Sequence, residues 1–265
     1  MFGISLLHLN EESEIPLIPE IFRIVEFPGH YLNHAEKLQK LSQDFIFNDL
    51  FPIALTREIA LQNQRIQDNF LCQCSSLMDC SARLESSGII VDFEVESGFS
   101  DQNYHNATTA LLKKLAADLL RTESTLLLPV RFPFKSEAEG SSEKYLTTLK
   151  NLLSPQFGFV VNVYPHELAG KELDIQKLLH WLRFDTKAIR FVYEPETGNR
   201  LVKRLLTPWV KMIHSFGMDI PLIAAPMIEH SETLEYELLL LRDLFIDLHN
   251  ENEKELKNVE TWRKC

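Results

Sequence analysis

Eight short apolar runs, most followed by a polar turn and a longer amphipathic stretch, mark this 265-residue chain as α/β. Their number over about 250 residues points to a single (β/α)8 barrel spanning residues 1–265. A third observation removes support from the main alternative, an open doubly wound sheet. No G-x-G-x-x-G or G-x-x-x-x-G-K loop follows any of the runs, so the usual nucleotide-binding forms of that sheet are not indicated.

The runs begin at Phe2, Phe22, Asp44, Gly88, Thr125, Phe157, Ala188 and Ile220. Several are almost continuously apolar, such as TLLLPVRF and FGFVVNVY, as expected of parallel strands covered on both faces. Between them, Ala107 to Leu120 places its leucines at helical spacing with Lys113, Lys114 and Asp118 off that face. Lys171 to Arg183 and Leu201 to Phe216 follow the same pattern, the latter kinked at Pro208. A long helix is expected from Arg57 to a stop near Gly88, and a last one from Thr233. The first helix, Glu11 to Glu20, is short and contains Pro16 and Pro19.

Composition narrows the partners. A formal net charge of −11 argues against a nucleic-acid backbone, which calls for clustered Lys and Arg. No apolar run reaches the roughly 18 residues of a membrane span. MFGISLLHLN lacks a basic segment ahead of its apolar residues and reads as a first strand, not a signal peptide. Cys72, Cys74 and Cys80 lie in C-x-C-x5-C, which is not a zinc-ribbon spacing. Buried thiols are the expectation, and they suit a reducing, cytoplasmic compartment.

Chemistry in such a barrel collects where the strands end. There the chain offers Glu194 and Glu196 around Pro195, after the seventh run. They read either as a site pair or as solvated loop charges paired with Arg131 or Arg190. Glu94 lies in VDFEVESG, where Asp92, Glu94 and Glu96 alternate on one strand face. Three carboxylates on one face are hard to bury unpaired, so a Glu–Arg network across the interior is expected, with Arg131 as its cation. Glu26 ends the second run and His30 follows four residues later, a pairing suited to proton transfer near neutral pH. Arg131 closes an apolar strand and is suited either to clamp a carboxylate or phosphate or to make a structural salt bridge. His166 and Glu167 in PHEL do not make H-E-x-x-H, because residue 170 is Gly.

With these units in place the chain resembles the xylose-isomerase-like TIM barrels, a family of sugar and sugar-phosphate isomerases and epimerases that also includes apurinic endonucleases. The likeness is carried by RIVEFPG (23–29), DLFPIALTREIALQNQRIQDNFL (49–71), FGFVVNVYPHELAGKELDIQKLL (157–179) and IPLIAAPMIEHSETLEYELLLLRDLF (220–245). It implies a divalent metal at the C-terminal mouth, held by Glu on the fifth strand, Asp and His on the sixth, His on the seventh and Glu on the eighth. At those places the chain has Arg131, Asn162 with His166 nearby, Tyr193 with Glu194, and Ala225 with Pro226. A fixed cation among the ligands repels a divalent ion. The sequence therefore assigns no metal ligand; Mn, Mg, Co or Zn would need a relocated site. Two readings stand. One is a sugar or sugar-phosphate isomerase or epimerase with Glu26, Glu94 and Glu194 as catalytic groups. The other is a metal-free barrel holding a sugar-like or anionic ligand, or a protein partner, without turnover. Arg131, Asn162, His166 and His30 are the candidate ligand-binding residues in either case.

Overall fold

The computed structural model describes residues 1–10, 14–27, 53–55, 57–83, 88–93, 101–120, 125–132, 147, 157–164, 185–195, 207 and 220–263. Eight strands are present: β1 (Phe2–Ser5), β2 (Phe22–Glu26), β3 (Ile53–Leu55), β4 (Gly88–Phe93), β5 (Thr125–Phe132), β6 (Phe157–Val163), β7 (Thr186–Tyr193) and β8 (Leu222–Pro226). They lie in the order β2-β1-β8-β7-β6-β5-β4-β3. Every described pairing is parallel. That order is the circular sequence of a (β/α)8 barrel, written from its β2 end to its β3 end.

Alternation along the strands sorts their side chains into two cores. Ile24, Ile90, Leu127, Val160, Ala188 and Ile223, from six strands, form an inner layer with no helical member. The residues on either side of them, such as Leu126 and Leu128, or Phe159 and Val161, belong to a larger core shared with the helices. Gly3 completes the inner layer on β1. A Cβ there would lie 3.0 Å from the Ile24 Cβ and 3.2 Å from the Ile223 Cγ1, so only glycine lets β1 sit this close to its neighbours.

Four helices are described: α1 (Arg57–Leu61), α2 (Gln64–Arg83), α3 (Gln102–Leu119) and α4 (Ser231–Arg263). Asp101 starts α3, its carboxylate accepting from the Asn103 and Tyr104 amides at 2.9 and 3.1 Å. Leu111, Leu112, Leu115 and Leu119 are the buried stripe. Phe245 of α4 stacks on Phe2 with ring centroids 4.3 Å apart and meets the Phe22 ring at 5.8 Å. The last helix thus closes over the first two strands.

Several expectations change. The helix expected from Arg57 is two helices, broken at Gln62 and Asn63, where Asn63 caps α2 by accepting from the Ile66 amide. The expected first helix is not formed in residues 14–19, where Pro16 and Pro19 interrupt the pattern. The third strand that pairs with β4 is Ile53–Leu55; the run from Asp44 lies outside the described residues. Strand β7 starts two residues before Ala188, and β8 two after Ile220. Cys72 is exposed, while Cys74 is buried between helix and sheet, where burial pushes its thiol up to about 12. The expected helices at 171–183 and 201–216 lie outside the described residues apart from Thr207.

Candidate functional site

Above the inner layer the interior becomes polar. Glu26 is two residues beyond Ile24 on β2, Asn162 two beyond Val160 on β6, and Arg190 two beyond Ala188 on β7. Strand alternation therefore points all three inward. The strands bearing Glu26 and Arg190 are not neighbours in the sheet, so the contact between them crosses the interior. Arg190 Nε donates to Glu26 Oε2 at 2.8 Å and its Nη2 to Oε1 at 2.7 Å, while Nη1 donates to Asn162 Oδ1 at 2.9 Å. Glu26 is fully buried and Arg190 is 5% exposed. This is a bidentate, charge-assisted pair of the kind that fixes a guanidinium plane.

Arg131, Asn162 and Arg190 are successive partners across β5, β6 and β7. Arg131 is partly buried, and its guanidinium lies over the Tyr164 ring, 3.7 Å from the centroid. Stacking of this kind is attractive and holds the guanidinium against the ring face.

The loop after β1 adds groups that the sequence reading missed. The Leu6 amide donates to the Glu26 carbonyl at 2.8 Å, and Leu9 closes a turn onto Leu6 at 3.0 Å. His8 stands on that turn with an exposed edge. Enclosure by the protein and then the charge of Arg190 lower its pKa, and Glu229 works against them. Asn10 approaches His230 at 3.5 Å, and its amide donates to the Glu229 carbonyl. The only sequence signal for this cluster is its place just past a strand end.

Glu26 and Asn162 come together on Arg190. This is a different pair from the expected network of Asp92, Glu94 and Glu96 with Arg131, of which Glu94 and Glu96 lie outside the described residues. Glu194 is exposed one residue past β7. Tyr193, expected at a ligand position, faces the helix layer and donates its hydroxyl to Glu237 Oε1 of α4 at 2.7 Å. Burial, then the charge and hydrogen bond of Glu237, raise the Tyr193 pKa well above normal; burial also raises that of Glu237. Glu94, His30 and His166 lie outside the described residues, as does Glu196.

Among the described residues no three His, Cys, Asp or Glu side chains converge in a way that could hold a divalent ion. The carboxylate nearest the centre, Glu26, already faces a guanidinium on both oxygens. These residues do not fit a metal. Among the described residues no helix is long and apolar enough to cross a membrane.

No family model and no curated protein matches the sequence. Solved structures do match in fold. A D-tagatose 3-epimerase-like protein superposes with a TM-score of 0.65 at 14% identity, over 94% of this chain and 98% of that one. A 3-keto-D-glucoside 4-epimerase from E. coli gives 0.61 at 11% identity, again over 94% and 98%. The IOLI protein, solved with a bound zinc atom, gives 0.61 at 8% identity over 93% and 97%. The chain has the fold of the xylose-isomerase-like TIM barrels.

Proposed function

We propose that this chain is a single-domain, sugar isomerase/epimerase-like barrel of eight strand–helix units that binds a sugar or sugar phosphate at its C-terminal mouth without a divalent metal. The observation that carries this reading is the Glu26–Arg190–Asn162 network. Both oxygens of Glu26 are taken by Arg190, so this carboxylate could ligate an ion only by giving up a buried, charge-assisted pair. Arg131, held over Tyr164, is the anion clamp of this reading. The sugar-like ligand class is supported by neighbours in fold that include a D-tagatose 3-epimerase-like protein and D-psicose 3-epimerases solved with D-tagatose and with D-fructose. The net charge of −11 supports a small ligand over nucleic acid.

With both carboxylate oxygens of Glu26 engaged by Arg190, the network lacks a ready base, and the metal-dependent reaction of this fold is lost in our reading. A relocated metal site would have to draw on Glu94, His30 or His166 with Glu194. The test is metal content of protein purified without chelator or nickel, then thermal shift with Mn, Mg, Co and Zn, and with D-tagatose, D-fructose and D-fructose 6-phosphate. The expected result is no metal, no shift with any ion, and a shift with sugar phosphate that Arg131→Ala abolishes. A near-stoichiometric metal whose removal lowers stability would overturn the metal-free reading and make an isomerase screen the next step.

A further inference from the structure

One buried hydroxyl has no role in the network. Ser5 is 2% exposed, and its Oγ finds no hydrogen-bond partner among the described residues. Its direction follows from the strand. Ile4 belongs to the core shared with the helices, and a Cβ on Gly3 would meet the inner-layer residues Ile24 and Ile223. Ser5 therefore faces the barrel interior, as Gly3 does. It is the register partner of Glu26, so its side chain stands about 5 Å from that of Glu26, on the same polar tier. Leaving a buried hydroxyl unmet is unfavourable, so such a group marks a place where another polar atom belongs.

The position of this hydroxyl relative to Arg131 gives the site a direction. In the sheet order, β1 and β5 are separated by β8, β7 and β6, which in an eight-stranded barrel sets them on opposite walls. Arg131 thus brings a guanidinium to one wall and Ser5 a hydroxyl to the other, with the Glu26–Arg190 pair between them. A neutral sugar would use one wall and inorganic phosphate the other; a phosphorylated polyol uses both.

Resting on the metal-free sugar-binding reading, we propose that the mouth recognises a sugar phosphate by its two ends, with the Ser5 hydroxyl bonding a ligand hydroxyl on the β1 wall and Arg131 holding the phosphate on the β5 wall. His8, three residues beyond Ser5 in the turn after β1, is the specificity neighbour at the hydroxyl end. Ser5 positions the ligand and takes no part in bond making.

The test is titration calorimetry of the full chain with D-fructose 6-phosphate, D-tagatose 6-phosphate and inorganic phosphate, on the wild type, Ser5→Ala, Ser5→Cys and Arg131→Ala. Ser5→Ala and Ser5→Cys are expected to weaken at least one sugar phosphate about tenfold, the scale of one lost hydrogen bond to a buried group, and to leave inorganic phosphate unchanged. Arg131→Ala is expected to weaken both kinds of probe. Melting temperature gives an independent check, because removing an unmet hydroxyl leaves it at or above that of the wild type. Wild-type affinity in both Ser5 variants would mean that the hydroxyl meets only water; the inference then falls and the metal-free reading stands. Both Ser5 variants melting well below the wild type would make Ser5 a structural residue and overturn the inference. A wild type that binds none of the three probes would overturn the functional reading and the inference with it.

Discussion

Replacing Glu26 by glutamine keeps the shape of the side chain and removes its charge. In the native protein Glu26 accepts two charge-assisted hydrogen bonds, at 2.8 and 2.7 Å, from a guanidinium that is only 5% exposed. The substitution leaves that cation buried, with the Asn162 oxygen as its strongest remaining acceptor of the three. Breaking a buried pair by removing one partner typically costs about 3–5 kcal/mol, because the surviving charge stays desolvated. At about 2–4 °C per kcal/mol for a domain near this size, Glu26→Gln should lower the melting temperature by roughly 6–20 °C. Removing both charges together is a different perturbation. A Glu26→Met, Arg190→Met double variant fills the same volume with apolar groups and should recover most of the loss, since a buried pair replaced by packed hydrophobic residues is often neutral. Urea denaturation of the wild type, both single variants and the double variant gives the cycle, with unchanged slopes confirming that stability alone has altered. A Glu26→Gln variant within about 1 kcal/mol of the wild type, or a double variant as unstable as the two single losses summed, would refute the claim that this pair is buried and mutually dependent.

Three further outcomes are expected. Tyr193→Phe removes the hydroxyl that donates to Glu237 and should cost about 1–3 kcal/mol by chemical denaturation, since a buried carboxylate loses its donor. The same variant tests a pH dependence: the folded Tyr193 pKa is raised, so the native state holds its proton more tightly than the unfolded chain does. Wild-type stability should therefore fall as pH rises above the ordinary tyrosine value of 10.0, and denaturation of the variant should show a weaker alkaline loss. Gly3→Ala places a methyl 2.9 Å from the Ile24 carbonyl oxygen and should destabilise by about 1–3 kcal/mol through overpacking, read as a lowered melting temperature with the fold retained by circular dichroism. Glu229→Gln removes the one charge that raises the His8 pKa, so NMR titration of the imidazole should show a still lower value.

What the sequence revealed of this fold follows from where the information lies. Strand starts at Phe2, Phe22, Gly88, Thr125 and Phe157 were legible because a strand covered on both faces is apolar along its whole length. The third strand was not: Ile53–Leu55 has only three residues, too few for a pattern, and a more aromatic run stood nearby. The break before Gln64 did have a local signal, Asn63 as a cap, hidden within an otherwise continuous helical periodicity. At the site, the carboxylates of VDFEVESG suggested a network with Arg131, whereas the pair that is described, Glu26 with Arg190, was not anticipated. Arg190 sits in AIRFVY as one charged residue inside an apolar strand, which is a signal in itself, yet nothing local tells which carboxylate lies across the barrel from it. The orphan hydroxyl of Ser5 is likewise invisible in sequence, since it depends on which wall β1 occupies and on what the neighbouring strands leave unfilled.

The pair that crosses the barrel joins residues 164 positions apart. That separation has a consequence for the order in which the molecule assembles. Until β7 has joined the sheet the pair with Arg190 cannot form, and enclosing a carboxylate without its partner is unfavourable. Contacts of such long range form late and slow the approach to the native state. The pair thus ties completion of the polar interior to the seventh strand, far along the chain from the second.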